Sequence, residues 1–432
     1  MRKTSIWIFG WTLAVLAAGC TSQPARPQVE RVHLKNGLPV VLYYLPEVPT
    51  VSVGVLFKGG AAKLQQGEDG LEYLAVSAAL QGSENLPYPR FREEAYAYGI
   101  DLSVQPPRND FLLVTARAVE LYAHKAVRLL ADGLMHPEWN PTAFEKVRRQ
   151  LLARARMKEQ NPDERVWLRL NQKFYAGHPY QVRPDGTPET LERFTLDQVR
   201  AYLPAHLTAS ELLIGVTGAF DRDSVLAWLN ETFGTLPKGD YVDPEVPAFS
   251  RPDSDLVYHE TMPIITAYFS AKFPAPSPRD PEFPTGFAAM QVLSQALGDT
   301  IRTGYGLSYA VWAGLSLNRA NYGYLYFSST EPDRALELLK KTLHAFQARP
   351  ITPEEKQHVL NLWQTLTYMR ESSSQSLLSS LLTYEYLGPG AEMALDLVRR
   401  LEQVSPEEIQ AFLKQYPEPF VGYLLLQEQG RP

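Results

Sequence analysis

LERFTLDQVRAYL (residues 191–203) and LEQVSPEEIQAFL (residues 401–413) align without a gap at an offset of about 210 residues. Thr195 stands where Ser405 does and Val199 where Ile409 does, while Ala201 and Leu203 recur as Ala411 and Leu413. A Ser or Thr followed two residues later by a carboxylate, then by apolar residues at helical spacing, starts an N-capped amphipathic helix. Working outward, AVRLL at 126–130 answers to ALELL at 335–339. Each lies behind a strand-like run, FLLVTA at 111–116 and YGYLYFS at 322–328. A proline-containing loop and a second helix follow each, near 141–156 and 353–370, and LLIGV at 212–216 parallels VGYLLL at 421–426. Ordered matches at nearly one offset describe a duplicated domain.

Each half reads as strands, helices, strands, then helices. The expected fold class is therefore α+β, with two homologous domains, each a mixed or antiparallel sheet with helices packed on one face. Residues 235–255 (TLPKGDYVDPEVPAFSRPDSD) are proline-rich with little apolar periodicity and read as a linker. The expected domains are then 29–234 and 256–432.

Across 432 residues, 45% are hydrophobic and 21% charged, the balance of a folded globular chain. The net charge of −6, with no Lys/Arg cluster, argues against nucleic acid as a partner. Arg2 and Lys3 precede an apolar run, Ile6 to Ala18, too short to span a bilayer comfortably. It ends in LAAGC at 16–20, which resembles the lipobox of bacterial lipoprotein signals. That resemblance implies cleavage before Cys20 and acylation of its thiol and new amino group. Residues 1–19 would be the signal peptide and 20–28 a tether. The protein is then expected in the cell envelope, extracytoplasmic and anchored to a membrane by lipid. The alternative is an ordinary secretory signal with an incidental cysteine. Cys20 is the single cysteine, so disulfides and any Cys-based zinc site within one chain are excluded.

Several segments in the first half occur in one particular order. They are NGLPVVLYYLP from Asn36, VSVGVLFKGGA from Val51, GEDGLEYLAVSAALQGS from Gly67, NPDE from Asn161, Phe174, and GHPY from Gly177 with Gly186-Thr187. This succession resembles the pitrilysin/insulinase family of zinc peptidases over nearly the whole N-terminal half. In active members the helix after the second segment carries an inverted H-x-x-E-H motif, two zinc-binding histidines with the Glu that activates the zinc-bound water. Aligned on Gly70-Leu71 and Gly82-Ser83, the motif positions hold Tyr73, Leu74, Ala75, Val76 and Ser77. The third ligand, a Glu in the family, falls at Arg154, and a guanidinium cannot ligate zinc. No two of the eight histidines are spaced four apart, and His178 reads as a structural loop residue. The expectation is no zinc in this chain. No nucleophile elbow, P-loop or dinucleotide fingerprint is present. The adjacent carboxylates Glu68/Asp69 and Glu93/Glu94 read as solvated faces.

In the second half, QALGDTIRTGYGLSYAVWAGL (295–315) resembles the family's helix end, Arg, glycine turn and GLxY strand, with a slightly shorter approach to the Arg. Arg302 and Tyr309 keep the family's seven-residue spacing. In two-subunit members, one chain carries zinc and the other supplies this pair. The chemistry suits that role: an Arg fork holds a carbonyl or carboxylate, and a Tyr hydroxyl donates to a developing oxyanion. The plain readings are a cation at a helix C-terminus for Arg302 and one packed aromatic of a strand for Tyr309. Tyr305, Trp312, Tyr322, Tyr324 and Tyr326 read as packing.

The resemblance implies a non-catalytic subunit of a heterodimeric peptidase. Its zinc-bearing homologous partner would hydrolyse peptides, with Arg302 and Tyr309 orienting the substrate. A structural or peptide-binding lipoprotein with no part in proteolysis is the main alternative. An independent peptidase with a relocated metal site is a third.

Overall fold

The computed structural model describes residues 28–428. The signal, Cys20 and nearly all of the tether lie outside that range. Among the described residues, no helix is long and apolar enough to cross a membrane.

The first half supplies β1 (Glu30–His33), β2 (Pro39–Tyr44), β3 (Thr50–Lys58), β4 (Asp101–Val104), β5 (Phe111–Val119) and β6 (Leu212–Gly218). Its helices are α1 (Leu71–Ala79), α2 (Arg90–Ala97), α3 (Ala123–Met135), α4 (Pro141–Gln160), α5 (Pro162–Phe174), α6 (Pro188–Arg193), α7 (Leu196–His206) and α8 (Arg222–Glu231). The second half supplies β7 (Leu256–Met262), β8 (Ala267–Pro274), β9 (Ser308–Leu315), β10 (Tyr322–Ser329) and β11 (Val421–Gln427). With them go α9 (Phe283–Leu297), α10 (Pro332–Ala348), α11 (Pro353–Glu371), α12 (Ser374–Leu387), α13 (Glu392–Gln403) and α14 (Pro406–Gln415).

The duplication is visible in the strand order. The first sheet runs β1-β2-β6-β3-β5-β4 and the second β7-β11-β8-β10-β9, the same order without β1. In each, one parallel pair (β2 with β6, β7 with β11) sits in an otherwise antiparallel sheet. The helices that revealed the repeat start alike. Thr195 caps α7 in a reciprocal box with Gln198, and Ser405 caps α14 with Glu408.

Within each half, that half's own helices cover one face, as expected. On the first sheet, α3 lies against β3 and β5 and α1 against β4; on the second, α10 lies against β8 and β10 and α9 against β9. The opposite faces are covered too, by a helix from the other half. α12 lies on β3 and β6, and α5 lies on β8 and β11. β3 is therefore buried on both sides. Val51, Val53, Val55 and Phe57 belong to the first half's core, whereas Leu56 belongs to the core shared with α12.

Two glycines make room for α12. Gly54 and Gly215 are cross-strand partners, and Leu378 and Leu382 of α12 rest on them. A Cβ at Gly215 would lie 2.7 Å from Leu378 Cδ1, and one at Gly54 would lie 3.0 Å from Leu378 Cδ2. At the helix N-terminus, Ser374 Oγ bonds Thr50 Oγ1 and Ser52 Oγ at 2.8 Å each, and Thr217 Oγ1 donates to Ser374 O at 2.6 Å. In the reciprocal contact, Val166 and Leu170 of α5 pack on Tyr326, Tyr423 and Leu425.

Residues 236–255 form no helix or strand, yet they are pinned. Phe249 inserts between Phe174, Tyr175 and His178, with ring centroids 4.5, 5.5 and 4.4 Å away.

Candidate functional site

Helix α1 packs against α4, and that contact brings together the two residues read from the sequence as the ends of the family's metal motif. Arg154 Nη1 donates to Tyr73 Oη at 2.9 Å. Tyr73 and Arg154, read from the sequence as the first and third ligand positions, are thus neighbours in space, although 81 residues separate them. Between them, Val76 is fully buried and Ser77 half-buried. This donor set does not fit zinc. It offers one phenol already bonded to a cation, one hydroxyl and an aliphatic side chain, with a guanidinium where the metal's charge would sit. Among the described residues, no group of three or more His, Cys, Asp or Glu is placed to hold a metal ion.

Arg302 and Tyr309 are also brought together. Arg302 lies in the last turn of a π-helical segment, Gly298–Gly304, that extends α9, and Tyr309 is the second residue of β9. The guanidinium carbon stands 5.2 Å from the Tyr309 ring centroid, and no carboxylate lies within ion-pair distance of Arg302 among the described residues. The ring is 85% exposed, so Tyr309 is not a packed strand aromatic. The helix-end reading of Arg302 agrees with its place in the last turn, but it gives no account of the exposed ring. No hydrogen bond, ion pair or ring contact joins this pair to Tyr73 and Arg154.

The other aromatic residues of this region mostly pack. Trp312, Tyr326 and Trp167 form a stack, with centroids 4.1 and 5.7 Å apart and planes within 15°. Tyr305 is half exposed and lies beside Arg334, and Trp312 keeps 37% of its surface exposed while it stacks.

The GHPY segment joins the two halves. Tyr180 Oη donates to Asp110 Oδ1 at 2.5 Å and accepts the N–H of Ala320 at 3.2 Å. Asp110 also takes the backbone N–H and the Nε of Arg319 at 2.9 and 3.0 Å. His178 is structural, as read from the sequence. Its Nδ1 accepts the N–H of Tyr180 at 3.1 Å, which leaves Nε2 to donate to Pro247 O at 2.9 Å. Burial draws its pKa below the ordinary value, against the pull of that carbonyl.

The carboxylate pairs correct the sequence reading in part. Asp69 is half-buried and accepts the N–H of Arg183 at 2.8 Å, because the turn before α1 packs on the loop that follows GHPY. Glu94 pairs with Lys125, whereas Glu93 is exposed as expected.

Two buried charged clusters gave no signal in the sequence. Lys63 Nζ lies 2.5 Å from Glu72 and 2.6 Å from Glu211, all three side chains at most 5% exposed, and His206 Nδ1 bonds Glu211 at 2.9 Å. Despite burial, the two carboxylates hold the Lys63 ammonium above its ordinary pKa. At the junction of the halves, Lys272 has no carboxylate partner. Its Nζ donates to Asn171 Oδ1 at 2.5 Å and Tyr175 Oη at 2.7 Å and lies 3.8 Å from the Tyr322 ring centroid. Burial lowers its pKa, with Tyr322 opposing.

Comparison with known proteins bears on both halves. The family profile described as Insulinase (Peptidase family M16) matches residues 39–183, and the one described as Peptidase M16 inactive domain matches 193–362. A Helicobacter pylori protein named non-peptidase homolog YmxG is 24% identical over 389 residues, 88% of this chain and 89% of its own. The mitochondrial-processing peptidase subunit beta of Saccharomyces cerevisiae is 20% identical over 319 residues, 72% of this chain and 68% of its own. A crystal structure titled as a peptidase M16 inactive domain from Pseudomonas fluorescens superposes with a TM-score of 0.84 at 18% identity, over 94% of this chain and 99% of that one. That likeness shows a shared fold.

Proposed function

The chain belongs to the insulinase (M16) peptidase family, and from that premise we propose that it is the non-catalytic subunit of a two-chain zinc peptidase. A zinc-bearing homologue supplies metal, water and general base, and this chain supplies Arg302 and Tyr309 to orient the peptide. One observation carries the reading. A cation without a carboxylate and a nearly bare phenol stand side by side on the surface, while Arg154 hydrogen-bonds Tyr73 at the residues read as the metal motif's. An unpaired Arg beside an exposed Tyr costs nothing to keep available for a substrate carbonyl and the oxyanion formed from it. The subunit would be held at a membrane through acylated Cys20, in the cell envelope, beside its partner.

The second reading is a peptide-binding lipoprotein with no part in proteolysis. The Helicobacter pylori relative, which this chain matches along nearly all of its length, is named a non-peptidase homolog, a name that fits both readings.

Affinity purification from native membranes separates the two, followed by peptide turnover with the recovered complex. The expected partner is a stoichiometric homologue with an intact H-x-x-E-H. Arg302→Ala and Tyr309→Phe should each lower kcat by roughly a hundred-fold, the scale of losing one oxyanion donor. Unchanged turnover in both variants, or recovery of this chain alone, sinks the split-enzyme reading.

A further inference from the structure

We propose that the end of the first sheet at which the chain enters the structure lies against a lipid surface, with Tyr44, Tyr96, Val119, Leu121, Tyr368 and Met369 among the headgroups. This rests on the acylation of Cys20 given above and is independent of the split-enzyme role.

Eight residues lead from Cys20 to Gln28, the first described residue. A chain of that length reaches at most about 28 Å. With Cys20 held in a bilayer, the part of the fold around Gln28 therefore stays close to the membrane surface. Glu30 pairs with Leu42, so the chain enters beside the end of β2. Tyr44 ends that strand and pairs with Gly218, Gly218 pairs with Val51 of β3, and Thr50 pairs with Val119 of β5. The entry point thus shares one end of the sheet with Tyr44, Val119 and, two residues on, Leu121.

Two other segments come to the same end. The ring of Tyr98, just after α2, meets that of Tyr122 with centroids 5.1 Å apart, which brings in Tyr96 from the last turn of α2. Ser374 Oγ bonds Thr50 Oγ1 at 2.8 Å, which brings in the last turn of α11 with Tyr368 and Met369. All six side chains are exposed, Tyr96 by 90%, Leu121 by 79% and Tyr368 by 77%. Apolar groups that converge from four separate stretches of chain make a patch, not a scatter. Three of them are tyrosines, whose ring suits the apolar zone while the hydroxyl stays in water, as at a membrane–water boundary.

Charge does not supply the attraction. Arg31, Arg117, Lys125 and Arg222 at this end are each paired with carboxylates, and Glu47 and Glu120 are exposed. A zwitterionic surface suits this face better than an anionic one. The lipid on Cys20 provides attachment, and the patch fixes which way the body is turned. Arg302 and Tyr309 lie outside the patch. β5 leads away from Val119 towards Asp110, Asp110 binds Arg319 between β9 and β10, and Tyr309 is at the other end of β9.

Vesicle flotation tests this. Cys20 is the single cysteine, so the chain from residue 20 onward takes an alkyl maleimide there and nowhere else. One myristoyl-length chain binds a bilayer only marginally by itself, which leaves the contribution of the protein face visible. Because the alkyl group is attached chemically, the outcome does not depend on acylation in the cell. On phosphatidylcholine vesicles the alkylated protein should bind at least about ten-fold more tightly than an alkylated peptide of residues 20–28. Leu121→Asp with Tyr368→Asp should bring it down to the peptide's affinity without loss of fold, since both side chains are exposed. Val242→Asp is the control and should change nothing. Val242 is 81% exposed and follows Tyr241, whose N–H is bound by Ser210 at the opposite end of the first sheet. Adding anionic phosphatidylglycerol should not tighten binding. Affinity equal to the peptide's, no loss in the folded double variant, or tightening by anionic lipid overturns the proposal. So does self-association of the chain through this end that excludes vesicles.

Discussion

Arg154 donates a hydrogen bond to Tyr73, so the two residues read from the sequence as standing at the first and third metal-ligand positions touch in the fold. If the two positions are the first and third ligand sites, the combination Tyr73→His, Val76→Glu, Ser77→His and Arg154→Glu rebuilds one zinc site on α1 and α4. The expected result is close to one tightly bound zinc per chain by elemental analysis after dialysis, against none for the natural sequence. A variant that folds and binds no zinc would show that the motif has been placed on the wrong residues. His178 makes a prediction of the opposite kind, about stability. Its folded pKa lies below the ordinary 6.5, so the unfolded chain binds the proton more readily. Stability from this group is complete above about the unfolded pKa and is lost as pH falls from there through the folded value. Thermal unfolding followed from about pH 7 to pH 5 should show a shallower loss in His178→Gln. An unchanged slope would mean that other groups carry the acid sensitivity.

Each element is held by a few positions whose reasons can be named. The cross-strand pair Gly54 and Gly215 forms the groove for α12, so Gly215→Val drives two methyl groups into Leu378 and Leu382. Overpacking of this kind costs about 1–3 kcal/mol, to be read as a lower denaturation midpoint. Stability equal to the natural chain would mean that α12 is not seated there. Lys63 supports α1 from beneath through Glu72 and also holds Glu211 just ahead of β6. Lys63→Met leaves two buried carboxylates without their cation. The expected loss is about 3–5 kcal/mol, with the triple change Lys63→Met, Glu72→Gln, Glu211→Gln recovering a good part of it. Chemical denaturation of the single and triple variants measures both.

At the scale of the molecule, the reciprocal helices decide how the halves behave. The first sheet needs α12 to cover β3 and β6, and the second needs α5 to cover β8 and β11. Asp110, Arg319, Tyr180 and the inserted Phe249 add buried polar and aromatic ties across the same junction. The intact chain should therefore unfold in one cooperative transition. Residues 28–234 or 256–428 expressed alone should give no cooperative transition, and co-expression should restore a soluble pair. Two independent transitions in calorimetry would show that the junction is weaker than its burial implies. In the proposed two-chain peptidase, a chamber around the peptide would open between this chain and the partner, since the linker is pinned against both halves.

The sequence by itself determined what depends on local spacing. Capping residues and 3.6-residue periodicity revealed the duplication, the absence of any H-x-x-E-H is plain from the spacing of the histidines, and the seven-residue step pointed to Arg302 and Tyr309, which the fold places side by side. It also marked GHPY as a motif without showing that Tyr180 and Asp110 join the halves. The tertiary structure alone decided which surfaces meet. An apolar face on α5 or α12 reads the same whether it covers its own sheet or the other half's, because periodicity records burial and not the identity of the partner. Lys63, Glu72 and Glu211 were invisible for a related reason. Charges far apart in the chain become a cluster only once the fold has removed water from between them.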